Sequence, residues 1–154
     1  MEGGPKALDA TDWAILAELQ DDSRLSFSEL GRRVHMSSPA VAERVRRLEQ
    51  DGVITGYHAT VDLEAAGWSV LALVRMQCFG PRCILQHAES VVAWPQVLEL
   101  HRVTGDVCCE LKVVAASMPA FEAVVDRLAE YGQPSSTLVL SSPLSRGRVH
   151  RPEP

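Results

Sequence analysis

The chain has 154 residues, 46% apolar and 23% charged, with 15 Lys and Arg against 20 Asp and Glu for a net charge of −5. That composition excludes a disordered chain, and no apolar run approaches the roughly 18 residues of a membrane-spanning helix. An acidic balance also speaks against uniform attraction to nucleic acid, so any such binding must come from a local patch.

The first dozen residues are acidic and hold no apolar stretch of the kind a secretory leader carries, so a cytoplasmic protein is expected. Residues 9–20 are predicted as a helix, with Asp9 and Asp12 at capping-box spacing and Ile15, Leu16 and Leu19 on one face. Ser26 and Glu29 repeat the capping box ahead of a short helix that carries Leu30 and Val34. His35, Met36 and Ser37 break it. Ser38 is the expected N-cap of a third helix, with Pro39 at its first position. In that helix Val41, Val45 and Leu48 make a buried stripe, while Pro39, Glu43, Arg46, Arg47 and Gln50 fall opposite. Gly52 suits the residue just past the helix end. Val53 and Ile54, then residues 57–61, are expected as two short strands around Thr55 and Gly56, a small wing. Trp13 and Phe27 are expected in the core.

Charge is concentrated on this region. From Arg24 to Arg47 the chain holds Arg24, Arg32, Arg33, Arg44, Arg46 and Arg47 against Glu29 and Glu43, a local excess of four positive charges. Two capped helices, a short break and a one-sided arginine cluster make a helix-turn-helix and imply binding to double-stranded DNA. Arg44, Arg46 and Arg47 are assigned to phosphate or base contact. Ser38, Pro39, Ala40 and Glu43 lie in the N-terminal half of the helix, the part that reaches base edges. Glu43 has two readings, accepting from a cytosine amino group or pairing with Arg47 one turn on.

The remainder alternates strands and helices. Residues 68–79 are predicted as a strand. Residues 81–94 are predicted as a helix with Ile84, Leu85, Ala88, Val91 and Val92 inward. Residues 97–104 and 107–115 are predicted as strands, 117–131 as a helix with Met118, Phe121, Val125 and Leu128 inward, and 136–142 as a last strand. That order is the ferredoxin-like βαββαβ arrangement. The fold class is therefore α+β, with a winged helix-turn-helix in residues 1–60 and a ferredoxin-like effector-binding and oligomerisation domain in 61–142. A flexible tail rich in Pro and Arg is expected in 143–154.

A two-residue turn at Gly105 and Asp106 sets Glu99 opposite Lys112, Leu100 opposite Leu111, His101 opposite Glu110 and Leu98 opposite Val113. One sheet face then carries Leu98, Leu100, Cys109, Leu111 and Val113 under the helices. The other carries Glu99, His101, Val103, Cys108, Glu110 and Lys112 beside Leu71, Leu73, Arg75 and Gln77, with no helix left to cover it. A mixed face with uncovered leucines implies a homo-oligomer.

The four cysteines, Cys78, Cys83, Cys108 and Cys109, match no zinc-ligand spacing and are expected as free thiols in packing roles, with no metal and no cofactor. The facing pair His101 and Glu110 is read as structural, with a pH-sensing or metal role as the alternative. No catalytic residue is assigned. Two other functions are open: an effector-binding assembly protein without DNA binding, and a thiol enzyme using Cys108 as nucleophile near His101.

At this point the sequence resembles the Lrp/AsnC family, the leucine-responsive or feast/famine transcriptional regulators. The resemblance spans about residues 8 to 142. It rests on Leu8, Asp9, Asp12, Ile15 and Leu16; on Arg24, Leu25, Ser26, Glu29 and Leu30; and on Ser38, Arg44, Val45, Leu48, Glu49, Gly52, Val53 and Ile54. Later it includes Val103, Thr104, Gly105 and Asp106, then Leu111, Lys112 and Val113. It implies a DNA-binding regulator whose dimers, joined through the second domain, assemble into tetramers or octamers. It also implies a small effector, commonly an amino acid, bound between dimers near the Gly105–Asp106 turn. Thr104, Gly105, Asp106, Val107 and Cys108 with Ser135, Ser136 and Thr137 are the expected effector residues, and backbone N–H groups at a glycine turn suit a carboxylate. The chain departs from the family pattern at Val107 and Cys108, where an aromatic residue and an aspartate are usual. It departs again at Gly132, Gln133, Pro134 and Ser135, where many members read Pro-Gly-Val.

Overall fold

A computed structural model describes residues 7–78 and 80–153. The chain divides into two compact units, one running to Ala59 and taking in the segment from Leu144 onward, the other Thr60–Pro143.

The first unit is built on α1 (Ala10–Asp21), α2 (Phe27–Arg33) and α3 (Ser38–Gln50). Asp9 caps α1 with the full reciprocal box: its side chain accepts from the Asp12 N–H and the Asp12 carboxylate accepts from the Asp9 N–H. At α2 only half of the box forms. Ser26 accepts from the Glu29 N–H, but the Glu29 carboxylate turns to Arg33 instead. The cap of α3 is Ser37, one residue earlier than expected, so Ser38 is helical and Pro39 follows it in the first turn. Either serine can cap, and the chain uses the one that leaves Pro39 where its missing N–H costs nothing. Gly52, at φ 70°, ends α3 in a Schellman arrangement, the Val53 N–H donating to Leu48 O and the Gly52 N–H to Glu49 O. Ile15, Leu30, Val41, Val45 and Leu48 form the core. Phe27, expected inside, is exposed, and Trp13 is half-buried.

Two expectations are corrected here. The segment after Gly52 contains no strand, so the wing is irregular chain. The tail has no helix or strand among its described residues but is held: Val149 exchanges both backbone hydrogen bonds with the Gln20 side chain, and Arg148 pairs with Asp21.

The second unit holds β1 (Val70–Gln77), β2 (Val97–Arg102), β3 (Cys109–Ala115) and β4 (Gln133–Leu138) in the order β2-β3-β1-β4, all neighbours antiparallel. Phe79, expected to close the first strand, lies outside the described residues. The predicted helix over 81–94 is broken: two 3-10 turns, Gly80–Arg82 and Ile84–His87, precede a short α4 (Ala88–Val92). The last helix, α5 (Met118–Ala129), is capped by Ser117 and buries Phe121, Val124 and Leu128, leaving Met118 exposed. The last strand starts three residues earlier than expected.

The hairpin register holds for Glu99 with Lys112, Leu100 with Leu111 and His101 with Glu110. A bulge then intervenes, Val97 rather than Leu98 faces Val113, and Leu98 is exposed. Val70, Ala72, Val74 and Met76 alternate into the core with Cys109, Leu111, Val113 and Ala115. Leu71, Leu73, Arg75 and Gln77 take the opposite face with Glu110 and Lys112.

Candidate nucleic-acid interface and effector region

The position of α3 depends on a turn that packs backbone against backbone. A Cβ on Gly31 would lie 2.6 Å from the Met36 carbonyl oxygen, and the Met36 N–H donates to Gly31 O at 2.8 Å. His35 sits in the left-handed region at φ 57°, which reverses the chain between α2 and α3. Sequence reasoning missed Gly31, although a glycine inside a helix signals such an approach.

Val41, Val45 and Leu48 are buried, and Pro39, Glu43, Arg46, Arg47 and Gln50 lie exposed on the other side, as winding at 3.6 residues per turn requires. Ser38, Ala40 and Arg44 are half-buried. The arginines are not equivalent. Asp12, only 2% exposed, is the one buried charged side chain among the described residues. Its oxygens accept from Arg44 Nη1 at 2.7 Å and from Arg47 Nη2 at 2.9 and 3.0 Å. Arg44, 25% exposed, also donates to Asp9 at 2.7 Å. Its hydrogen bonds to Asp9 and then Asp12 push the Arg44 pKa further up, so it is a fixed charge tying α3 to the start of α1. Arg47 is 52% exposed. Arg46 pairs with Glu43 on the helix surface, so the glutamate's partner is Arg46 at i+3 rather than Arg47 at i+4. Arg33 pairs with Glu18 and Glu29, Arg32 with Glu29 and Arg24 with Asp22. Exposed pairs of this kind add little to stability, so phosphate can replace those carboxylates at small cost.

In the second unit the connection between β2 and β3 is wider than a two-residue turn. The strands end at Arg102 and start at Cys109, the Val103 N–H donates to Cys108 O, and Gly105 has φ 109°. Thr104, Gly105 and Asp106 are exposed and Val107 is half-buried. Ser135, Ser136 and Thr137 are exposed on β4, with Ser135 facing Arg75 and Thr137 facing Leu73 of β1. With β1 between them, β3 and β4 are two strand spacings apart, about 10 Å. The two groups of effector residues therefore lie on either side of β1. His101 pairs in register with Glu110, but its ring bonds to Glu99 Oε2 at 3.0 Å, and Lys112 holds the other Glu99 oxygen at 3.1 Å. The His101 ring and then Lys112 hold the Glu99 carboxyl below its ordinary range.

The largest departure from expectation is at the cysteines. Cys108 does not join the open sheet face. It precedes β3, and its thiol donates to Met76 O at 3.1 Å beside Cys83 Sγ at 3.8 Å. Cys83 Sγ lies 2.7 Å from Cys78 Sγ, and the three sulfurs all fall within 4.8 Å of one another. The four cysteines are free thiols, as expected, but spacings of 5 and 25 residues gave no sign that the fold brings three of them together. Burial pushes the Cys78 thiol up and raises Cys109 to about 12. At Cys108 burial is outweighed by hydrogen bonding with Cys78, Cys109 and Cys83, which holds its thiol below the ordinary value.

Known proteins share this architecture. Residues 8–49 match the AsnC-type helix-turn-helix domain and residues 70–149 the Lrp/AsnC ligand binding domain. The uncharacterized HTH-type transcriptional regulator YezC of Bacillus subtilis (strain 168) is 41% identical over 135 residues, covering 88% of this chain and 95% of that protein. The structure of B. subtilis LrpC superposes with a TM-score of 0.85 at 32% identity, covering 91% of this chain and 99% of that one. The feast or famine regulatory protein Rv3291c from M. tuberculosis, complexed with L-methionine, gives a TM-score of 0.84 at 32% identity, with 95% and 100% covered. Among the described residues, no helix is long and apolar enough to cross a membrane.

Proposed function

The chain belongs to the Lrp/AsnC family of transcriptional regulators, and from that premise we propose how this member carries out regulation. The exposed face of α3 enters the major groove of double-stranded DNA. Pro39, Ala40 and Glu43, next to Ser38, lie toward the base edges, and Arg46 and Arg47 lie toward phosphate. Arg44 keeps a place in the site as the strut that fixes the helix angle. The observation that carries this reading is the division of α3 into a buried apolar stripe and an opposite polar face with two exposed arginines. DNA as partner agrees with the cytoplasmic location expected from the sequence. His101 is engaged by Glu99 and Cys108 by a backbone carbonyl, which favours a binding protein over a thiol enzyme.

The open face around Leu71 and Leu73 joins two chains into a dimer, and dimers assemble into a tetramer or octamer. Two recognition helices then meet half-sites separated by about 10 bp or a multiple, on one side of the duplex. The exposed turn at Thr104, Gly105, Asp106 and Val107, with Cys108 and the Ser135–Thr137 stretch supplied across dimers, holds a small effector. L-methionine in the structural relative supports an amino acid, its carboxylate meeting N–H groups at Gly105. Cys108, where an acidic residue is usual, leaves the ammonium half of that site weak, so this member either takes a different acid or works without one. Mapping the chain's binding sites on its own genome tests the DNA reading; finding no enriched sites defeats it. Thermal shift against the twenty amino acids tests the effector, since a ligand at a hundred times its Kd stabilises by about 2.7 kcal/mol. Strong stabilisation by a branched-chain amino acid contradicts the weight given to Cys108.

A further inference from the structure

We propose that Cys78, Cys83 and Cys108 form a three-thiolate site for a thiophilic d10 metal ion, opening on the cleft beside the base of the β2–β3 hairpin. The three ligands come from three segments fixed by backbone bonds. Cys78 directly follows β1. The Cys83 N–H donates to Gly80 O at 3.1 Å, closing a turn that brings Cys83 back over the end of β1. Gly80 takes φ 76°, a left-handed conformation that a side chain there resists. The Cys108 N–H donates to Met76 O at 2.9 Å, holding the third thiol against the same strand end.

Thiolate–metal bonds of about 2.3 Å in trigonal or tetrahedral geometry place sulfurs roughly 3.8–4.0 Å apart. Cys83 and Cys108 are already 3.8 Å apart. Cys78 and Cys83, at 2.7 Å, separate to that spacing by a small side-chain rotation, while the third pair lies within 4.8 Å. The cleft over these sulfurs is lined by Arg102 and Gln86. Three thiolates around a divalent ion carry one net negative charge, and the positive charge of Arg102 in the cleft lining complements it. The open side leaves room for a fourth, external ligand on Zn(II) or for none on Cu(I) or Cd(II). Each metal–sulfur bond replaces a thiol proton, so binding releases up to three protons per ion and moves no electrons. Cys109, also buried, has its sulfur 3.8 Å from Cys108 Sγ, but it falls outside the three sulfurs that all lie within 4.8 Å of one another.

The test uses the full chain, reduced and freed of reductant under anaerobic conditions, titrated separately with Zn(II), Cd(II) and Cu(I) against a competing chelator. The expected result is one ion per chain, with a thiolate-to-metal charge-transfer band for Cd(II) and Cu(I). X-ray absorption should count three sulfurs, with an added light-atom ligand on Zn(II) alone. Cys78→Ser, Cys83→Ser and Cys108→Ser should each weaken binding by roughly a hundredfold or more, since losing even an outer partner of a ligand costs 10–100-fold, whereas Cys109→Ala should keep it. The sulfur count on unmodified protein decides the matter even where a serine variant fails to fold. Folded, fully reduced protein that binds none of the three ions overturns the proposal. So does a sulfur count below three, or a chain whose only response is a Cys78–Cys83 disulfide on mild oxidation.

Discussion

Replacing Asp12 by asparagine keeps the size of the side chain and removes its charge at the point where α1 meets Arg44 and Arg47 of α3. The carboxylate accepts from the Asp9 N–H, from Arg44 and, through both oxygens, from Arg47. An amide keeps one acceptor oxygen and turns two N–H donors toward guanidinium donors. Removing one partner of a buried pair costs about 3–5 kcal/mol. Here Arg44 retains Asp9, and Arg47 is half open to water, so both cations are re-solvated and the loss falls to about 2 kcal/mol. In a domain of this size that lowers Tm by about 8–16 °C. Thermal and urea unfolding followed by circular dichroism measure it. Asp9→Asn serves as the control, because asparagine still caps the helix and Asp9 is exposed. The reasoning fails if Asp12→Asn loses less than about 0.5 kcal/mol, the ordinary range of a surface change, or no more than Asp9→Asn.

Gly31→Ala should destabilise the first unit by about 1–3 kcal/mol, the range for a forced backbone shift in a packed site, and weaken DNA binding with it; unfolding at the unmodified midpoint would show that the turn yields freely. Leu71→Arg with Leu73→Arg should shift the chain toward monomer in light scattering, and an unchanged mass would move the interface elsewhere. Glu99 titrates below its ordinary value, so its share of stability is present above the unfolded-state pKa and is lost as pH falls through the folded one. Glu99→Gln should therefore flatten the acid limb of the stability profile below about pH 4.5, and an identical limb would remove its pairing with His101 and Lys112 from the account.

Where periodicity and capping chemistry act locally, the sequence was readable. Asp9 and Asp12 marked the start of α1, Gly52 the end of α3, and three cross-strand pairs followed from one register. Failures came where tertiary contacts decide. Arg44 reads as a phosphate or base contact like Arg46 and Arg47, and nothing local shows that Asp12, 32 residues away, is buried beside it. The helix predicted over 81–94 has the apolar spacing, but Gly80, Pro81 and the return of Cys83 onto β1 break it into turns. The bulge that displaces Leu98 leaves no mark on alternation. The cysteine cluster was invisible for the same reason, because sequence spacing measures contour length and the three thiols converge through the sheet.

Fluorescence anisotropy of an operator duplex across a salt series tests the central claim most directly, comparing the unmodified chain with Arg46→Ala, Arg47→Ala and the double variant. If both arginines meet phosphate, each removal weakens binding to all sequences and lowers the slope of log affinity against log salt by about 0.9, so the double variant loses nearly two. A double variant with unchanged affinity and an unchanged slope would contradict the assignment of α3 as the DNA-reading helix.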